Sequence, residues 1–109
     1  GLLHMRGHEV VVANNGSEAV AAASDRPFDV ILMDLEMPEL DGLAATAAIR
    51  RRESLAGGHV PIIAMTAHAV TGFRERCLEA GMDDYITKPI EPCEMFKTIE
   101  QVVAQASAS

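Results

Sequence analysis

Short apolar runs recur along the chain and predict the strands of a β-sheet. Three runs contain no polar residue: Val10–Ala13, Val30–Met33 and Ile62–Met65. Continuous rather than alternating apolar residues are typical of strands that are covered on both faces. A weaker run, Tyr85–Thr87, predicts a shorter or edge strand. The pattern therefore predicts a sheet buried between two layers.

Helical patterns lie between these runs. They cover Ser17–Ala23, Leu43–Arg52, Val70–Gly81 and a last segment that begins near Pro92. Asp41 is predicted to cap the second helix, and Gly81 to end the third. Strands that alternate with helices in this way favour an α/β fold, a doubly wound parallel sheet with helices on both faces.

Three polar residues follow successive predicted strands. They are Asp34, Thr66 and Lys88. Ligands of such sheets bind at the carboxyl ends of the strands, where these side chains are expected to converge. A carboxylate can attack phosphorus to form an acyl phosphate, and a hydroxyl and an ammonium can bind the oxygens of the product. Taken singly, each residue also fits a cap or a solvated loop.

Composition narrows the class of protein. The chain has 109 residues and 49% of them are apolar, which indicates one domain over 1–109. The net charge of −7 argues against nucleic-acid binding. The one basic run, Arg50–Arg52, is predicted to be a solvated helix end. No apolar run is long enough for membrane insertion. Cys77 and Cys93 show no ligand spacing and are expected to be buried or half-buried free thiols, in keeping with a cytoplasmic location.

Several segments together resemble one protein family. Val30–Gly42 looks like the phosphorylation-site motif of response-regulator receiver domains. Met65–Ala67 resembles the hydroxyl switch motif of that family, and Asp84–Pro89 its lysine–proline segment. Gly7–Val10 and Asn15–Ala19 also match in order. The resemblance covers nearly the whole chain.

This resemblance implies a fold and a function. The fold is flavodoxin-like (CheY-like), with strand order 2-1-3-4-5. The function is that of a phosphoacceptor in a two-component phosphorelay, with Asp34 phosphorylated by a histidine kinase or a histidine phosphotransfer domain. The module itself is expected not to be an enzyme. The stretch Ala67–Tyr85 resembles receivers that are joined to hybrid sensor histidine kinases, and a parent protein of that kind would be a kinase.

The resemblance also assigns roles to residues. Asp34 is implied to be the phosphoacceptor, Thr66 the switch hydroxyl and Lys88 the phosphoryl-binding cation. Tyr85 lies at the position of the switch aromatic, and the backbone carbonyl of Glu36 at that of a Mg²⁺ ligand beside Asp34. The peptide bond that joins Lys88 to the following proline is expected to be cis.

One part of the family pattern is not found. The acidic pair that helps to hold Mg²⁺ has no match, and Gly1–Arg6 resembles the last turns of a first helix that ends at Gly7. Strand 1 and most of helix 1 are therefore expected to be missing, and Mg²⁺ binding to be weakened. The strand at 8–13 is then expected to pair directly with that at 29–34, or to recruit a strand from another chain by self-association.

Other functions remain open at this stage. A receiver-like interaction module without phosphorylation would fit the missing acidic pair. A hydrolase of the haloacid dehalogenase type also uses an aspartyl nucleophile, but that class has a second aspartate where this sequence has Glu36. A flavodoxin is disfavoured because no phosphate-binding loop follows a first strand.

Overall fold

The structure, a computed structural model, describes residues 2–5, 8–25, 28–34, 39–67 and 72–108. Strands and helices alternate within these residues after an initial pair of strands. The strands are β1 (Leu2–Met5), β2 (His8–Ala13), β3 (Val30–Asp34), β4 (Ile62–Thr66) and β5 (Asp84–Thr87); the helices are α1 (Gly16–Asp25), α2 (Glu39–Ala56), α3 (Phe73–Ala80) and α4 (Pro92–Ala108).

The strands form one sheet in the order β1-β2-β3-β4-β5. The four strands β2 to β5 are parallel, whereas β1 is antiparallel to β2 at the edge. All four predicted strands are present, and the prediction of an α/β fold with a parallel sheet is confirmed.

The order of the parallel strands is the family order 2-1-3-4-5 with its first strand left out. Strand β2 pairs directly with β3, and Val10 has Val30 as its Cα partner, while the antiparallel β1 lies on the other side of β2. Direct pairing was one of the two arrangements expected. It gives the backbone donors and acceptors of β2 their partners within the chain, which a strand in the middle of a sheet requires.

The N-terminal segment corrects the sequence prediction. We expected Gly1–Arg6 to be the end of a helix, but Leu2–Met5 forms β1, with Leu2 opposite Val11 and Met5 opposite His8. The predicted stop at Gly7 lies outside the described residues. The pattern of these few residues is too short to identify its period, and pairing with β2 decides the conformation.

Helices cover both faces of the sheet, as predicted. Helices α1, α2 and α3 pack on one face, and α4 packs on the other. The first face buries Ala13, Ala19, Ile31, Met33, Ala45, Ile49, Ile62, Ala64, Phe73, Cys77 and Met82. The second buries Val10, Val30, Leu32, Ile63, Met65, Ile86, Ile99 and Val102.

Helix ends agree with the sequence prediction in part. Helix α2 begins at Glu39, so Asp41 lies within it and is not the N-cap. Helix α3 begins at Phe73, and the predicted start at Val70 lies outside the described residues. It ends at Ala80, and Gly81, the predicted stop, follows as the C-cap in the left-handed conformation with φ 108°.

The two cysteines differ in environment. Both are free thiols; Cys77 is buried, as predicted, whereas Cys93 is exposed in the first turn of α4. The expectation of burial was wrong for Cys93 because α4 turns Ile99 and Val102 to the sheet instead. Among the described residues, none of the helices is both long and apolar enough to cross a membrane.

Candidate functional site

Asp34 is the last residue of β3, at the carboxyl edge of the sheet. The four residues before it, Val30–Met33, are fully or almost fully buried, while the Asp34 side chain is 21% exposed. The apolar residues fix the strand between the two helical layers, and the carboxylate is thereby held at the edge within reach of solvent. This is the position that the sequence predicted.

Lys88 reaches the same carboxylate from the loop after β5. Its Nζ donates to Asp34 Oδ1 at 2.8 Å, and both side chains are 21% exposed. The Lys88–Pro89 peptide bond is cis, as the family resemblance implied. A partly buried ammonium in contact with a carboxylate places positive charge where added phosphoryl oxygens would need it.

Thr66 ends β4, the strand between β3 and β5. The preceding residue, Met65, is the Cα partner of Asp34. The carbonyl oxygen of Thr66 accepts a hydrogen bond from the Lys88 amide at 2.7 Å. The Thr66 side chain is buried, with 4% of the residue exposed. The structure therefore brings Asp34, Thr66 and Lys88 together at one edge, as predicted from their placement after three strands.

Tyr85 lies further back on β5, half-buried against the core that α1, α2 and α3 cover. Its ring meets that of Phe73 edge-on, with centroids 5.5 Å apart and planes at 78°. Sequence reasoning did not find this contact, because the spacing of apolar residues does not fix how a helix is oriented on the sheet.

The proposed metal ligands are only partly described. Glu36, whose backbone carbonyl was expected to bind Mg²⁺, lies outside the described residues. Across residues 8–25, 28–34, 39–67 and 72–108, as far as their side chains are described, no group of three or more acidic, histidine or cysteine side chains could hold a metal ion. Among the described residues, the one candidate ligand for Mg²⁺ at this edge is therefore the Asp34 carboxylate, which is already in contact with Lys88.

A second polar network lies at the opposite, amino edge of the sheet, and the sequence prediction missed it. Arg50 was expected to be solvated at a helix end, yet its side chain is 16% exposed and lies in the body of α2. Its guanidinium donates to Glu53, to Asp83 and to the carbonyl oxygens of Val60 and Gly81, at 2.7–2.8 Å. The sequence carries no signal for this, because three consecutive arginines follow one another and the burial of Thr46, one helical turn before Arg50, is seen only in the structure.

Comparison with known proteins identifies the module. A model of the response regulator receiver domain family matches residues 1–100. The chain is 44% identical over 109 residues to the hybrid signal transduction histidine kinase I of Dictyostelium discoideum, covering 95% of the chain and 6% of that protein. It is 45% identical over 82 residues to the histidine-protein kinase BarA of Escherichia coli, covering 75% of the chain and 9% of that protein. The match is to a small module of these long proteins.

Solved structures agree with this result. The receiver domain of sensor histidine kinase PA1611 from Pseudomonas aeruginosa is 34% identical with a TM-score of 0.72, over 87% of this chain and 96% of that one. That structure has a magnesium ion coordinated in its active-site cleft. The receiver domain of Ssk1 from Saccharomyces cerevisiae, crystallised with the histidine phosphotransfer protein Ypd1, is 33% identical with a TM-score of 0.72, over 84% of this chain and 70% of that one. Sequence, fold and the grouping of polar residues at the carboxyl edge agree: the chain belongs to the response regulator receiver domain family, the phosphoacceptor modules of two-component signalling.

Proposed function

We propose that Asp34 is the phosphoacceptor of this receiver domain, and that Thr66 and Lys88 bind the phosphoryl group once it is attached. The observation that carries the proposal is the 2.8 Å contact between Lys88 Nζ and Asp34 Oδ1 at the carboxyl edge of the sheet. The contact joins residues 54 positions apart, and it sets a cation beside a carboxylate that solvent can reach.

The proposed reaction is a phosphoryl transfer from a phosphohistidine. An oxygen of Asp34 attacks phosphorus, the phosphorus–nitrogen bond breaks, and its electron pair returns to the imidazole, which can then take up a proton. The product is an acyl phosphate that carries more negative charge than the carboxylate. The Lys88 ammonium and the Thr66 hydroxyl then bind the phosphorylated form better than the free form, which is the differential affinity that a switch needs.

Removing the charge of Lys88 tests this arrangement. We expect Lys88→Gln to lower the rate of phosphorylation by phosphoramidate about tenfold to a hundredfold, the effect of losing one hydrogen bond to a charged group. The chain has one other lysine, Lys97, which is exposed on α4. Lys97→Gln is therefore the matched control and should leave the rate unchanged. Equal rates for the two variants would contradict the proposed role of Lys88.

Magnesium is the cofactor proposed for this family site, and the described residues fit it incompletely. Mg²⁺ needs near-octahedral oxygen ligands and usually takes one or two carboxylates together with waters and phosphate oxygens. Asp34 supplies one carboxylate, one of whose oxygens is in contact with Lys88. The described residues alone do not form a complete magnesium site, so no step above is assigned to the ion.

We therefore expect the 109-residue chain to bind Mg²⁺ much more weakly than the PA1611 receiver domain, in which the ion is coordinated. Calorimetric titration of both domains with MgCl₂ under identical conditions measures the difference. Asp34→Asn serves as the baseline for binding elsewhere on the surface. Equal affinities would show that the ligand set is larger than the described residues indicate. Sedimentation of the same sample tests the predicted self-association.

The proposed partner is a histidine kinase or a histidine phosphotransfer domain, which supplies the phosphohistidine. The structure of the Ssk1 receiver domain with Ypd1 supports this class of partner. The chain spans 6–13% of the length of the curated relatives compared, so the activity of a longer parent is a proposal as well. A cytoplasmic location is proposed because the free thiols suit a reducing compartment.

A further inference from the structure

The contact between Phe73 and Tyr85 links helix α3 to strand β5. Phe73 is the first residue of α3 and is 3% exposed. Its ring meets the Tyr85 ring in a T-shaped arrangement, with centroids 5.5 Å apart. Edge-to-face pairs at this distance are favourable beyond the burial of their surface, since the positive ring edge faces the negative ring face.

Register places Tyr85 on the same side of the sheet as Thr66. Tyr85 is the Cα partner of Ala64 on the adjacent parallel strand, and Thr66 follows Ala64 by two residues. Successive side chains of a strand point to opposite faces, so Ala64, Thr66 and Tyr85 share one face. Phe73 packs into the core on that same face. Thr66 and Tyr85, to which the family resemblance assigns the switch roles, thus lie on the sheet face against which Phe73 packs.

The start of α3 fixes where Phe73 stands. Gly72 precedes it in the left-handed conformation, with φ 83°, which residues with a Cβ rarely adopt. The chain turns sharply at Gly72, and Phe73 enters the core in the first turn of α3. A displacement of α3 would therefore move the Phe73 ring with it. Either the contact with Tyr85 would then break, or the Tyr85 ring would move together with the Phe73 ring.

We propose that Phe73 is a positioning residue that holds the ring of Tyr85 against α3 and ties the orientation of that ring to the position of the helix. This inference rests on the proposed function, because it affects signalling only if Tyr85 responds to phosphorylation of Asp34. Loss of the Phe73 ring should release Tyr85 from α3 while leaving the chemistry at Asp34 in place.

The chain offers a clean probe, since Tyr85 is its one tyrosine. Biosynthetic labelling with 3-fluorotyrosine then gives ¹⁹F signals from Tyr85 alone. We expect Phe73→Leu to lower the ratio of held to released ring orientations about two- to tenfold, the factor that corresponds to loss of one aromatic pair. The measurement is the ¹⁹F shift and line width of the unphosphorylated protein. Phe73→Met is the second variant, should the leucine variant fold poorly by circular dichroism.

The control separates positioning from general loosening of α3. Cys77 is buried one turn further along the same helix, so Cys77→Ala perturbs the packing of α3 without removing the ring. We expect Cys77→Ala to leave the ¹⁹F signal of Tyr85 as in the wild type. An unchanged signal in both Phe73 variants, or an equal change in Cys77→Ala, overturns the proposal.

Phosphorylation by phosphoramidate distinguishes this inference from the proposed function. We expect Phe73→Leu to incorporate phosphoryl groups to the wild-type extent, but to show a smaller ¹⁹F change on phosphorylation. A wild-type protein that takes up no phosphoryl group overturns the proposed function. In that case the comparison of unphosphorylated variants still decides whether Phe73 positions Tyr85.

Discussion

Asp34→Asn is expected to reduce phosphorylation of this protein to background. An amide keeps the shape of the side chain and can still accept a hydrogen bond from Lys88, but it is not a nucleophile that can form an acyl phosphate. The measurement is covalent phosphate after incubation with phosphoramidate or with a phosphorylated histidine phosphotransfer domain. An acyl phosphate is identified by its cleavage with hydroxylamine.

The residue that precedes β3 offers the matched control. Asp29 lies just before β3, at the amino edge, and its Oδ2 accepts a hydrogen bond from the Glu9 amide at 2.7 Å. Asp29→Asn keeps an acceptor there and should leave phosphorylation at the wild-type level. Hydroxylamine-sensitive phosphate in Asp34→Asn would remove Asp34 from its proposed role. A wild-type protein that accepts phosphate from neither donor would favour the alternative of an interaction module without phosphorylation.

The carboxyl edge of the sheet could be predicted from sequence because its residues are marked locally. A continuous apolar run indicates where a buried strand lies. The first polar residue after the run is then the one whose side chain lies at the edge of the sheet. Asp34 and Thr66 are both of this kind. Parallel strands end at the same edge, so their meeting with Lys88 follows from topology without knowledge of any contact.

The features that sequence reasoning missed depend on packing between distant segments. Leu2–Met5 has no distinctive period, and its conformation is decided by pairing with β2. Arg50 is one of three consecutive arginines, and only the rotation of α2 on the sheet determines which of them is turned inward. The contact between Phe73 and Tyr85 depends on how α3 is oriented on the sheet, which the spacing of apolar residues does not fix.

The Arg50 network leads to the second prediction, which concerns stability. Arg50 donates to two carboxylates, those of Glu53 and Asp83, and each of these also accepts a backbone amide hydrogen bond. It further donates to the carbonyl oxygens of Val60 and Gly81. One guanidinium therefore joins α2, the start of β4 and the turn before β5 at the amino edge of the sheet.

We expect Arg50→Met to lower the free energy of unfolding by about 2–4 kcal/mol. Methionine preserves much of the apolar stem, but it removes the guanidinium from two partly buried carboxylates, with His59 still in contact with Asp83, and leaves two carbonyl oxygens without this donor. The estimate lies somewhat below the range for a fully buried pair because the side chains are 16–19% exposed and partly screened by solvent. Small domains are stable by about 5–15 kcal/mol, so the loss is a large fraction of the total.

Urea denaturation followed by circular dichroism measures this effect, and the neighbouring residue supplies the control. Arg51 is exposed on the same helix, and Arg51→Met should change stability by less than about 0.5 kcal/mol. A double-mutant cycle of Arg50→Met with Asp83→Asn isolates the ion pair, since asparagine can still accept the Ile62 amide. Because the network lies at the edge opposite Asp34, Arg50→Met should retain phosphorylation under conditions where it is folded. Equal stabilities for the Arg50 and Arg51 variants would show that the guanidinium contributes no more than a solvated arginine.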